Sequence, residues 1–274
     1  MDLSITADYV KSKGCPEPYL KKIANAGFSH VHWAYHYNTD FIYSKHEICQ
    51  ISKWLDEYNL KLLDLHASDG IEKQFYSLRE YQRQAGVELV ENRLLMAAEL
   101  GTDVIIVHIP EEPDPADQKT LFWSQLHKSM DALQKIAVPK GMRIAVENLW
   151  PPNFTTLHRL FDEYAPSFLG LCYDSGHGNL NDKDFKQFET MKDRLISVHL
   201  HDNKGTIDEH NLVFSGTIDW EKLAGILARS AYTRCVSMEI MTWKSEISDE
   251  DEFLAKAFEN GTRLSEMIAR EKAA

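Results

Sequence analysis

The sequence predicts a single (β/α)8 barrel, and three observations carry that prediction. Short β-branched or apolar runs alternate with longer amphipathic segments, and eight such pairs fill the 274 residues. Val104-Ile105-Ile106-Val107 is a continuous hydrophobic run, the pattern of a parallel strand buried on both faces. No glycine-rich phosphate loop follows the first run, which argues against a doubly wound open sheet.

Strands are expected over Leu3–Ala7, His30–Ala34, Lys61–His66, Val104–His108, Arg143–Glu147, Leu169–Asp174, Ile196–Leu200 and Cys235–Ile240. Helices are expected over Pro16–Ala26, His46–Tyr58, Leu78–Leu100, Asp117–Val138, Thr156–Tyr164, Asp184–Thr190, Trp220–Ala228 and Asp249–Ala269. Gly27, Gly101 and Gly141 follow helical patterns, where a left-handed terminal residue is wanted. Ser77, Asp219 and Asp249 precede helical patterns and are expected as N-caps.

A hydrophobic content of 43% supplies enough apolar material for a full core, and residues 1–274 are read as one domain. No apolar run reaches the roughly 18 residues of a membrane span. The opening Met-Asp-Leu-Ser-Ile-Thr lacks the basic and apolar regions of a secretory signal. Cys15, Cys49, Cys172 and Cys235 are scattered, so reduced and mostly buried thiols in a cytoplasmic protein are expected. A formal charge of -12 disfavours a surface that grips phosphate backbones and suits a site that gathers cations.

The strand ends carry the chemistry. His66, His108, Glu147 and Asp174 end consecutive strands, while His199 and Glu239 lie in the last two. In a barrel these C-terminal ends converge on one mouth. The following loops add His177, Asp208 and His210. Taken singly, a strand-end histidine is more often a satisfied core residue, and a lone carboxylate a helix cap. Taken together, Glu147, Asp174 and Glu239 would repel one another in a desolvated mouth unless a cation neutralised them. Mixed imidazole and carboxylate donors suit Zn, Mn, Fe or Co better than Ca. The set holds no thiolate, so an open, catalytic site is expected rather than a closed structural one.

Around this mouth, Trp33-Ala34-Tyr35-His36-Tyr37-Asn38 reads equally as a sugar-stacking wall or as ordinary aromatic packing. Trp33, His36, Trp150, Lys204 and Trp243 are the candidate substrate contacts. His201 is expected to point away from His199 if both lie in the strand, and so to support the ligands rather than join them.

Several runs together resemble the xylose-isomerase-like barrel superfamily of sugar isomerases, epimerases and endonuclease IV. They are Val146-Glu147-Asn148, Cys172-Tyr173-Asp174-Ser175-Gly176-His177, His199-Leu200-His201-Asp202-Asn203, Asp208-Glu209-His210 and Met238-Glu239. The resemblance covers nearly the whole chain. It implies a four-ligand metal site at Glu147, Asp174, His199 and Glu239, with the two glutamates as base and acid. It also implies, from endonuclease IV, that His66, His108, His177, Asp208 and His210 extend the set to nine positions. One to three divalent ions follow, with Zn or Mn favoured. His201-Asp202-Asn203-Lys204 replaces the acidic-Asn-Asp-Arg run usual in ketose 3-epimerases, and the Gly-rich DNA-reading loops of endonuclease IV are missing.

The function expected is a metal-dependent sugar or sugar-phosphate isomerase or epimerase working by proton abstraction alpha to a carbonyl, with an oxo-sugar dehydratase or lyase as a variant. The alternative is an endonuclease IV-like phosphodiester hydrolase. A small carbohydrate is the expected partner, not nucleic acid or membrane, and a homo-oligomer is allowed.

Overall fold

A computed structural model describes residues 1–11 and 14–273 of the chain. Its strands are β1 (Leu3–Thr6), β2 (His30–Trp33), β3 (Lys61–His66), β4 (Val104–Val107), β5 (Arg143–Glu147), β6 (Leu169–Asp174), β7 (Leu195–His199) and β8 (Val236–Met238). The helices are α1 (Glu17–Asn25), α2 (Lys45–Glu57), α3 (Glu80–Glu99), α4 (Ala116–Ala137), α5 (Phe154–Glu163), α6 (Ser175–Asn181), α7 (Lys186–Met191), α8 (Trp220–Arg229) and α9 (Glu250–Ala273). All strand pairs are parallel, in the order β7-β6-β5-β4-β3-β2-β1-β8. The ring closes where the Leu200 amide donates to the Ser237 carbonyl at 2.9 Å and the Glu239 amide to the Leu200 carbonyl at 3.2 Å. The architecture is the (β/α)8 barrel expected from the sequence.

Period-2 alternation sorts the strand side chains into two environments. Ile105, Val107, Ile144, Val146, Leu171 and Val198 join the main core that packs strands against helices. Their neighbours Val104, Ile106, Ala145, Cys172 and Ile196 form a separate small cluster. Glu147 and Asp174 continue that second series, so the pleat itself aims both carboxylates into the barrel.

Helix ends follow local chemistry. Ser44 and Glu47 form a reciprocal capping box that starts α2. Asp219 caps α8 by accepting the Lys222 amide at 3.0 Å, and Asp249 accepts the Glu252 amide at 2.9 Å. Ser77 is not the cap expected of it: α3 starts later, and the Ser77 hydroxyl instead accepts the Arg79 amide at 3.2 Å. Gly27, Gly101 and Gly141 all take the positive φ that their positions require.

Helix α6 is not foreseen, since Ser-Gly-His-Gly-Asn-Leu-Asn is poor in helix formers. It starts because Asp174 accepts the His177 amide at 2.6 Å. Cys172 and Cys235 are buried as expected, but Cys15 and Cys49 are exposed. Cys49 falls on the solvent side of α2, whose buried positions are Ile48, Ile51 and Leu55. Among the described residues no helix is long and apolar enough to cross a membrane.

Candidate metal centre

Strands β3, β5, β6 and β7 end on His66, Glu147, Asp174 and His199, while His108 and Glu239 lie one residue beyond β4 and β8. The structure brings all nine sequence-derived positions into one continuous network. Glu147 is its hub. One carboxylate oxygen lies 3.2 Å from His108 Nε2, 3.1 Å from His199 Nδ1 and 3.6 Å from His66 Nε2. The other lies 3.4 Å from His177 Nδ1. Glu239 approaches the same His199 Nδ1 at 3.2 Å. Asp208 stands 2.9 Å from His210 Nε2 and 3.6 Å from His177 Nε2.

Burial grades this network from floor to rim. Side-chain exposure is 2% for Glu147, 0% for Asp174 and 1% for His199, against 24% for Asp208 and 20% for His210. Glu147, Asp174 and His199 therefore form a buried floor, with His108, Asp208 and His210 more open to solvent.

Backbone carbonyls fix several imidazole tautomers. A carbonyl can only accept, so the ring nitrogen facing it carries the proton. His66 Nδ1 donates to the Ala67 carbonyl at 3.0 Å, His177 Nδ1 to Asn148 at 2.9 Å and His210 Nδ1 to Glu239 at 2.9 Å. Each leaves Nε2 directed at the network, the way ligating histidines are usually held. Asn153 braces the floor by donating to the Ile109 and Glu147 carbonyls at 2.8 and 2.9 Å.

The charges are strongly coupled. Burial alone would raise the Glu147 carboxyl, but His199 and His108 hold it well below the usual range. Burial pushes Glu239 well up against the pull of the nearby His210, and repulsion from Glu147 and Asp174 adds to the rise. His210 rises to about 10 against burial, through its bond to Asp208 and the charge of Glu239. His177 is likewise raised against burial, by Asp174, Asp208 and Glu147.

The donor set fits a divalent cation. Glu147, Asp174, His199 and Glu239 each place a ligand atom within 4.8 Å of the others, as do His66, His108 and Glu147, and His201, His210 and Glu239. His199 Nε2 and Asp208 Oδ1 are buried without a hydrogen-bond partner, and His199 Nδ1 faces Glu147 and Glu239 at 3.1 and 3.2 Å without making a well-aligned one. Buried polar atoms rarely stay unsatisfied, and a cation would answer all three.

The orientation of His201 departs from expectation, while its contact with the ligand position Asp174 is that of a supporting residue. Strand β7 ends at His199, so alternation no longer governs His201, and its Nε2 lies 3.0 Å from Asp174 Oδ2. Its ring also stacks on His210 at 4.1 Å.

The substrate-contact candidates scatter. Trp33 is 1% exposed and donates its indole N–H to Tyr43 at 3.0 Å, inside the core. The chain turns at His36, whose φ is 62°, and the ring stacks on Phe41 at 4.3 Å. That turn presents Tyr37 instead, 4.5 Å from the His66 ring and 6.1 Å from His108. Trp150 and Trp243 are exposed. Lys204 lines a cavity with Lys244, Lys256 and Arg263 whose walls include none of the nine ligand positions.

Tyr37 lay in the expected aromatic wall but was not singled out, and neither were His32 and Asp64. The pattern His30-Val31-His32-Trp33 places His32 on the inward face with His30, and that alternation was the available signal.

The chain is a parallel eight-stranded barrel with carboxylates and imidazoles that could hold a metal converging on its C-terminal mouth. The chain belongs to the xylose isomerase-like TIM barrel family, whose family model matches residues 20–257. Uncharacterized protein y4fM of Sinorhizobium fredii is 31% identical over 283 aligned positions, covering 93% of this chain and 91% of that protein. Inosose dehydratase of Bacillus velezensis is 27% identical over 166 positions, 57% of this chain and 51% of the enzyme. The crystal structure of a D-tagatose 3-epimerase-like protein superposes with a TM-score of 0.79 at 21% identity, covering 100% of both chains. D-allulose 3-epimerase from Methylomonas sp., in complex with D-allulose, gives 0.77 at 18% identity over 96% of both. These structural likenesses establish a shared fold.

Proposed function

We propose that the chain is a divalent-metal-dependent isomerase or epimerase of a sugar or sugar phosphate, acting by proton abstraction alpha to a carbonyl. The observation that carries this reading is that Glu147 and Glu239 come from separate strands yet approach the same His199 nitrogen at 3.1 and 3.2 Å. Two carboxylates brought together from different strands can serve as base and acid on a single bound molecule.

A divalent ion held by Glu147, Asp174, His199 and Glu239, with Zn or Mn the best match to the donors, would polarise a carbonyl and make the adjacent C–H acidic. Glu147 takes the alpha proton, and the C–H electron pair moves toward the carbonyl oxygen to leave an enediolate. Glu239 returns a proton to the opposite face of the same carbon for epimerisation, or to the neighbouring carbon for isomerisation. Loss of a β-hydroxyl from the same enediolate gives dehydration, the reaction class in the name of the Bacillus velezensis relative. Trp150, Trp243 and Lys204 remain proposed substrate contacts, and Tyr37 joins them because it stands against His66.

A second reading, metal-assisted phosphodiester hydrolysis, is favoured by the close pair of His66 Nε2 and His108 Nε2, 3.1 Å apart beside Glu147. With Glu147 the pair makes a second donor group beside the four-residue one. The formal charge of -12 weighs against a nucleic-acid substrate. Metal analysis of the purified protein, with a ketose and ketose-phosphate panel assayed beside an abasic DNA duplex, separates the two. Ketose conversion by a metal-loaded protein supports the first reading, and strand cleavage without ketose turnover replaces it with the second.

A further inference from the structure

Beneath the four-residue cluster the barrel interior carries a second polar group that the nine positions do not include. His32 on β2 pairs in register with Asp64 on β3, and both side chains are 1% exposed. His32 Nδ1 lies 2.8 Å from Asp64 Oδ1. The Ser197 hydroxyl, from β7, donates to Asp64 Oδ2 at 2.5 Å. Since an ionised carboxylate only accepts, Nδ1 carries the proton, and Nε2 is the atom left to act.

That Nε2 is buried without a hydrogen-bond partner. Whether it holds a proton or a lone pair, the protein gives it nothing to bond. His199 Nε2 is buried and unpartnered as well, and the two ring centres lie 4.6 Å apart. His32, His199 and Glu239 each offer one ligand atom, all within 4.8 Å of one another. A carboxylate gripping one ring nitrogen while the other faces carboxylates and imidazoles is how proteins orient a metal-binding histidine.

We propose that His32 is a metal ligand, completing with His199 and Glu239 an inner cation position that Asp64 and Ser197 hold in place. Two imidazoles and one carboxylate are a donor set for borderline divalent ions such as Zn²⁺ or Co²⁺ rather than Mg²⁺ or Ca²⁺. The inference rests on the metal-centre reading above and adds a ligand to it from the barrel interior.

The test is cobalt titration of chelator-treated protein, followed by visible d–d absorption, for the wild type, His32→Gln, Asp64→Asn and Glu147→Gln. His32→Gln is expected to change the cobalt spectrum and weaken Co²⁺ binding at least about tenfold, with a smaller weakening in Asp64→Asn. Weakened binding in Glu147→Gln together with an unaltered spectrum and affinity in His32→Gln overturns the role of His32 alone. A wild type that takes up no cobalt overturns this inference and the metal-centre reading together. If His32→Gln does not fold, wild-type protein with ¹⁵N-labelled histidine and bound ¹¹³Cd decides: scalar coupling to His32 Nε2 supports ligation, and its absence with coupling at His199 rejects it.

Discussion

Asn148 acts toward Asp174 as a short extra strand. Its side-chain N–H donates to the Asp174 carbonyl at 2.9 Å, and its side-chain oxygen accepts the Asp174 amide at 2.7 Å. One amide thus joins the ends of β5 and β6 where Glu147 and Asp174 leave them, while its own carbonyl orients His177. Asn148→Ala would strand two buried backbone groups, at a cost of about 1–3 kcal/mol. We expect a matching fall in denaturant stability and weaker metal binding, measured by urea unfolding and cation titration. Unchanged metal affinity would show that the amide serves the fold alone.

Glu147→Gln keeps the shape of the side chain and removes its basicity. Ketose turnover should fall by at least about a hundredfold, the scale of general-base catalysis. Circular dichroism should be unchanged. Retained turnover with normal metal content would take Glu147 out of the proton transfer.

Cation binding should release protons. In the metal-free chain Glu239 is raised by burial and by its carboxylate neighbours, and His210 titrates near 10. Both are raised above their ordinary values, so each holds its proton to higher pH than a free carboxyl or imidazole would. A ligating carboxylate or imidazole must give its proton up, so affinity should climb with pH until the raised His210 value of about 10 is passed. Calorimetric titration in buffers of different ionisation enthalpy checks this. A binding heat independent of buffer would refute it.

Gly176 leaves room for His201. A Cβ at this position would lie 1.9 Å from His201 Cε1, so Gly176→Ala must push the ring off Asp174. Overpacking of this kind costs about 1–3 kcal/mol. The melting temperature should drop and metal stoichiometry should change with it, whereas a variant matching the wild type in both would place the ring elsewhere in solution.

The barrel and its nine convergent positions were legible because each depends on local pattern. Val104–Val107 reads as a buried strand from its own residues, and strand-end histidines and carboxylates follow from where such runs stop. What was hidden depends on backbone turns and on partners distant in the chain. His201 turned inward because β7 stops at His199. Tyr37 replaced Trp33 and His36 because the chain turns at a positive φ. The His32–Asp64–Ser197 group joins three strands whose residues are 32 and 133 positions apart, a separation no local pattern reports.

The measurement closest to the central claim is proton exchange at carbon. Metal-loaded protein is incubated with a ketose panel in deuterium oxide, and the sugars are read by NMR. Deuterium is expected at the carbon alpha to the carbonyl of the true substrate, lost on chelation and in Glu147→Gln. Turnover of a sugar with no solvent deuterium at that carbon, in either substrate or product, would contradict it.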